Sequence, residues 1–210
     1  MPAPTDPGPD GPALVTHAET AMGTVFSLSV VLGRLTGQDL RSALGAACAT
    51  LHHADAVFST WDRQSPVSRL RRGEAVPGDL PSEVAQVMAE CQAASQASGG
   101  WFDPTGLVKG WAVERALAVL RGSGIAAAMV NGGGDLAAFG SPAPGRRWRV
   151  GIRHPWRAGS LAGIIEVGAA VATSGSYERG PHLIDPATVA DAARPEARPV
   201  AGSMRWAPRS

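Results

Sequence analysis

The chain has 210 residues, 44% of them hydrophobic and 18% charged, a length that supports one sizeable core and one domain. With 19 basic against 18 acidic residues and a formal charge of +1, it carries no electrostatic footprint for nucleic acid or an anionic membrane surface. Its two cysteines, Cys48 and Cys91, sit among alanines in helix-like stretches without C-x-x-C spacing, so they read as core thiols and not as a disulfide framework or zinc ligands.

The opening "MPAPTDPGPDGPALVTHAET" has neither a positive n-region nor an apolar h-region, and no apolar run approaches the ~20 residues of a membrane span. A cytoplasmic protein is expected, with residues 1–13 too rich in Pro, Gly and Asp to order themselves. From Gly23, Thr24, Phe26, Leu28 and Val30 alternate with Val25, Ser27 and Ser29, which predicts a strand. After Gly37, residues Leu40, Leu44, Ala47, Leu51, Ala54 and Phe58 recur at steps of three and four, one face of a helix. "PSEVAQVMAECQAASQASGG" predicts a second helix, with Pro81 and Glu83 in its first turn, Gly99 at its end and a buried stripe of Val84, Val87, Met88 and Cys91.

A third helix is expected from near Lys109 to the "GSG" at 122–124. "IAAAMVN" reads as a buried strand leading into "GGGD", and Trp148, Val150 and Ile152 mark a half-exposed strand. "LAGIIEV" and "AAVATS" read as two more strands, a hairpin turning at Gly168. A strand, three helices and then a run of strands indicate an α+β fold. Residues 14–188 form the expected domain, and 189–210, where Ala, Arg and Pro follow no period, the expected irregular tail.

The familiar phosphate and nucleophile motifs, G-x-x-x-x-G-K-[ST], G-x-G-x-x-G and G-x-S-x-G, are absent. Three polar stretches remain as candidates. In "FDPTGLVKG", Asp103 to Gly106 make a turn, and Lys109 follows at a helix entrance. Helix N-termini carry partial positive charge, so a lysine there suits a bound anion; the alternative is a solvated side chain. In "VNGGGDLAAFG", three glycines admit a ligand against bare backbone, and Asp135 suits a ribose, a ring nitrogen or a metal-bound water. The alternative is a tight turn in which Asp135 satisfies its own backbone. "ATSGSYERGPHLIDP" crowds Thr173, Ser174, Ser176, Tyr177 and His182 together, a loop suited to a phosphate or a sugar, or else an uninvolved surface loop. A hydrolase built on Ser174 and His182 is disfavoured, because the strand-to-helix elbow is missing. His52 and His53 share one helix, so only one can face inward, and a metal role is not expected for the pair.

"AMGT", "FSTWDRQSPVSRL", "FDPTGLVKGWAVERAL", "VNGGGDLAAFG", "WRVGIRHP" and "ATSGSYER…HLIDPAT" together resemble, in order, the FAD:protein FMN transferase (ApbE) family, from about Thr20 to Thr188. The resemblance implies a T-fold-like mixed sheet with packed helices. It implies an enzyme that uses FAD and Mg²⁺ and moves FMN onto a threonine hydroxyl of an acceptor flavoprotein, releasing AMP. It assigns Lys109 and His182 to stabilising developing charge. Met22, Trp61, Asp103, Gly133, Asp135, Thr173, Ser174 and Tyr177 become walls and contacts of the flavin nucleotide pocket, and the Gly106 carbonyl a magnesium ligand.

Two departures from the family pattern stand out. A stretch that the family carries before the Asp-to-Lys motif is missing. After "HLIDP" the family continues with a strand and a helix bearing an Asp and a Thr four residues apart, both magnesium ligands. Here "VADAARPEARPVAGSMRWAPRS" follows, and Asp191 comes only six residues after Asp185 with no Thr four residues on. The last strand and helix are therefore expected to be lacking. That would leave an unpaired sheet edge open to a homodimer, and a protein that holds FAD without chemistry, or an inactive remnant, as the alternative function.

Overall fold

A computed structural model describes residues 13–33, 35–99 and 106–173, together with the backbone alone of Thr105 and of 204–205. In chain order the elements are β1 (Leu14–Ala21), β2 (Thr24–Val31), α1 (Gly37–Phe58), α2 (Pro66–Arg71), α3 (Ser82–Ala97) and α4 (Thr105–Gly122). Strands β3 (Ala128–Gly132), β4 (Asp135–Phe139), β5 (Trp148–Arg153), β6 (Leu161–Val167), β7 (Ala170–Thr173) and β8 (Met204–Arg205) follow. The main sheet runs β1-β2-β3-β4-β7-β8 with every pairing antiparallel, and β5 and β6 pair as a separate hairpin.

The alternation seen in the sequence decides which face of the sheet each residue occupies. Phe26, Leu28 and Val30 of β2, with Ala128 and Val130 of β3, join Ala47, Leu51 and Ala54 of α1 and Val113, Ala116 and Leu120 of α4 in the larger core. The opposite face packs Val31, Leu136 and Ala138 against Trp148 and Val167 of the β5–β6 hairpin. The result is three layers: helices, main sheet, small hairpin. Trp148 Nε1 closes the second interface by donating to the Phe139 carbonyl at 3.2 Å.

Several details depart from the sequence reading. β1 was invisible because His17 and Glu19 interrupt one of its faces and Thr16 and Thr20 the other, which removes the period-two signal. α2 is six residues long, too short to show a period; Ser65 caps it by accepting from the Ser68 N–H at 3.1 Å. β6 and β7 do not form a hairpin at Gly168: β6 pairs with β5, and β7 pairs with β4, so the chain crosses between layers there. Met88 is exposed and Cys91 only half-buried, so the α3 stripe reduces to Val84 and Val87. Beyond 188, Met204–Arg205 pair with β7 at Thr173 and Ala172.

Candidate functional site

Two hairpin tips meet at one end of the main sheet. Met22–Gly23 links β1 to β2 and Gly133–Gly134 links β3 to β4, each a two-residue turn with both φ angles positive. Such turns match the right-handed twist of the flanking strands. The register Phe26↔Gly132 sets the two tips side by side. β7 pairs antiparallel with β4 through Leu136↔Val171, which brings its last residue, Thr173, to the second tip. There the Thr173 hydroxyl donates to the Gly134 carbonyl at 2.9 Å, and the Thr173 N–H reaches Asp135 Oδ1 at 3.4 Å. The Gly134 N–H in turn donates to Asn131 Oδ1 at 2.9 Å.

α4 adds the charge. Lys109 Nζ lies 3.4 Å from Asp135 Oδ2, and the two side chains are only 20% and 15% exposed. The helix begins at Thr105, so Lys109 is its fifth residue and not its entrance. The macrodipole fades within the first turn, so the expected conflict between lysine and helix N-terminus does not arise, and the charge partner of Lys109 is Asp135. α1 arrives at the same end: its last residue, Phe58, meets Trp111 of α4 edge-on at 5.3 Å.

Met22 is the only non-glycine with positive φ among the described residues. Its N–H donates to Asp55 Oδ2 at 2.8 Å, which ties the strained tip to α1. The residue is thus a turn corner, more than the core filler that composition suggests. Asp55 was missed in the sequence, where it reads as one polar residue beside the apolar stripe of α1. Asn131 was missed as well, although an Asn heading a glycine turn is the ordinary acceptor for that turn's N–H groups.

The glycines of the second tip are accounted for by the protein's own side chains. A Cβ on Gly132 would lie 2.4 Å from Phe26 Cε1, one on Gly133 2.8 Å from Thr24 Oγ1, and one on Gly134 3.2 Å from Thr173 Cβ. The tight-turn reading of "NGGGD" therefore suffices for the glycines themselves.

Of the residues singled out in the sequence, Met22, Gly133, Asp135, Thr173 and Lys109 converge on this end. Gly106 lies in the first turn of α4, where a carbonyl ordinarily accepts the N–H four residues on, so a metal would have to share that oxygen. Trp61 is 95% exposed on the loop after α1. Asp103, Ser174, Tyr177 and His182 lie outside the described residues, as do the segment 1–12 and all of 189–210 except 204–205.

Comparison with known proteins bears on this arrangement. The profile of the ApbE family matches residues 22–106 and 104–197. The chain belongs to the ApbE family. Two curated relatives, each named FAD:protein FMN transferase, are similar to it in part. The Rhodobacter capsulatus protein is 38% identical over 89 residues, 38% of this chain and 17% of that protein. The Vibrio cholerae protein is 36% identical over 98 residues, 42% of this chain and 29% of its own. The matched stretches thus span under a third of either relative. Among solved structures, the Vibrio cholerae flavin transferase ApbE superposes with a TM-score of 0.68 at 20% identity, covering 84% of this chain and 77% of that one. The Thermotoga maritima ApbE protein gives 0.67 at 20% identity over 79% and 72%. These likenesses establish the ApbE fold for this chain.

Magnesium, implied by the resemblance, takes oxygen ligands, usually one or two carboxylates plus phosphates and water. Among the described residues, Asp135 at this end has one oxygen facing Lys109 and the other the Thr173 N–H, and Asp55 Oδ2 is taken by Met22. That donor set does not by itself fit a magnesium site.

Proposed function

We propose that the chain is an FAD:protein FMN transferase, moving FMN from FAD to a threonine hydroxyl of an acceptor flavoprotein with release of AMP. The observation that carries this is the cluster of Lys109, Asp135 and Thr173, held at one sheet end between two hairpin tips in a protein of the ApbE family. In the proposed reaction the acceptor oxygen bonds to the FMN phosphorus, the bond from that phosphorus to the bridging oxygen breaks, and AMP leaves with that oxygen. The hydroxyl proton goes to solvent or a nearby base.

Charge builds on the phosphate oxygens as the pyrophosphate opens, and a fixed, mostly buried cation is worth more there than in water. Lys109 supplies that cation. Asp135 orients it and keeps it from swinging away, while Thr173 fixes Asp135 and the turn below it. Magnesium enters this proposal through the resemblance alone, and no step is assigned to it.

The test combines the purified chain, FAD, Mg²⁺ and an acceptor domain carrying the target threonine, with covalent flavin fluorescence read on a denaturing gel. A labelled acceptor and stoichiometric AMP are expected, both lost with EDTA. Lys109→Met keeps the apolar stem and should cut labelling at least tenfold. Its stability cost should be about 1–3 kcal/mol, between the values for exposed and for fully buried pairs. FAD binding without AMP release would instead identify a protein that holds the nucleotide, and absence of FAD binding would overturn the proposal.

A further inference from the structure

A second cluster of reactive side chains lies between β1 and α1 and shares no residue with the Lys109–Asp135 group. His17 and Glu19 are two apart on a strand and so project from the same face of β1. Cys48 and His52 are four apart on α1 and so share a helix face. His17 Nε2 lies 3.2 Å from Glu19 Oε2, and His52 Nε2 lies 3.1 Å from Glu19 Oε1. One donor atom each from His17, Glu19 and Cys48 falls within 4.8 Å of the others, and among the described residues no other such trio of His, Cys, Asp or Glu occurs.

This donor set is nitrogen, oxygen and sulfur, which suits a borderline-soft cation and not magnesium. Zinc–ligand bonds of about 2.0–2.3 Å in a tetrahedron put neighbouring donors about 3.3–3.8 Å apart. The spacings present need only small side-chain adjustments to reach that. We propose that His17, Glu19 and Cys48 form a zinc site, with His52 holding the second Glu19 oxygen from outside and water completing the tetrahedron. On binding, the Cys48 thiol releases its proton to solvent and its sulfur bonds the metal, so charge and atoms balance.

A ligating carboxylate is ordinarily held by a further hydrogen bond, and His52 provides one to Glu19. The alternative is a metal-free network in which Glu19 bridges two imidazoles. The site joins β1, an edge strand, to the helix whose Asp55 holds the Met22 tip. Metal there would fasten that tip from behind without entering the flavin chemistry.

The test uses the tag-free full chain, stripped with EDTA, desalted under reducing conditions and titrated with Co²⁺ alone and with Zn²⁺ alone. One equivalent of cobalt should give a near-ultraviolet thiolate-to-metal band that zinc abolishes. Zinc at a hundred times its dissociation constant should raise Tm by about 5–10 °C. Cys48→Ser should remove the band, His17→Gln should weaken zinc binding at least tenfold, and His52→Gln should weaken it by about 10- to 100-fold. His17 is partly exposed, so His17→Gln should fold even if Cys48→Ser does not. No thiolate band, or zinc affinity unchanged in His17→Gln, would overturn the proposal and leave an adventitious surface histidine as the binding site.

Discussion

Gly132→Ala probes the packing that supports the candidate site. An added Cβ would sit 2.4 Å from Phe26 Cε1, 2.8 Å from Cδ1 and 3.0 Å from Cζ. Ordinary contact begins near 3.4 Å, so the ring must retreat by about 1.0 Å. Phe26 has no exposure at all and packs within the core formed by the sheet and helices, so the ring has little room to move. Overpacking of this kind typically costs about 1–3 kcal/mol, and the full 1.0 Å of overlap places this case in the upper half, about 2–3 kcal/mol. For a chain of this length Tm should fall by about 4–12 °C. The assay is urea denaturation with Phe26→Leu and the double variant alongside. Phe26→Leu alone leaves a cavity and should also destabilise. In the double variant the new methyl takes space the ring gave up, so the double should be at least 1 kcal/mol more stable than the sum of the singles predicts. Additive effects, or a Tm for Gly132→Ala within about 2 °C of wild type, would refute the claim that Phe26 is why this position is glycine.

Three further outcomes follow from a helix cap, four carboxylates and one thiol. Thr36 and Asp39 form a reciprocal capping box at the start of α1, each side chain accepting the other's backbone N–H at 3.2 Å. Thr36→Ala should cost about 1 kcal/mol, read as a lower urea midpoint. Glu19, Asp39, Glu74 and Glu83 are all held below the usual carboxylate range by hydrogen bonds, with His17, Thr36, Arg72 and His53 respectively the main partners. Their folded values lie below the unfolded ones, so their contribution is complete above the ordinary 4.5 of a glutamate and is lost as pH falls through the folded values. The urea midpoint should hold from pH 7 to 5.5 and then fall steadily toward pH 3. At the alkaline end, in the metal-free protein, burial and then Glu19 push the Cys48 thiol up to about 11 from an ordinary 9.0. The unfolded thiol therefore ionises first, and stability should fall between pH 9 and 11, a loss that Cys48→Ser removes.

Much of this protein was legible before folding. The period-two run of Thr24–Val31 and the three-and-four spacing of Leu40 to Phe58 are local patterns, and local patterns decide which face of an element is apolar. The glycines of "NGGGD" marked one tight turn for the same reason, since φ > 0 is a property of glycine before it is a property of the fold, whereas the Met22–Gly23 turn carried no such mark. The motif order that carries the ApbE resemblance is likewise present in one dimension. What only the tertiary structure decided is proximity. Lys109 and Asp135 are 26 positions apart, and their pairing depends on α4 crossing the end of a sheet whose register comes from Phe26↔Gly132 and Leu136↔Val171. Thr173 reaches the same tip because β7 leaves the small hairpin and joins the main sheet, a layer change that an apolar alternation around Gly168 does not encode. The His17–Glu19–Cys48 cluster was hidden for the same physical reason. The strand contributes two of its residues and the helix one, and neither part is a motif until the core brings β1 against α1.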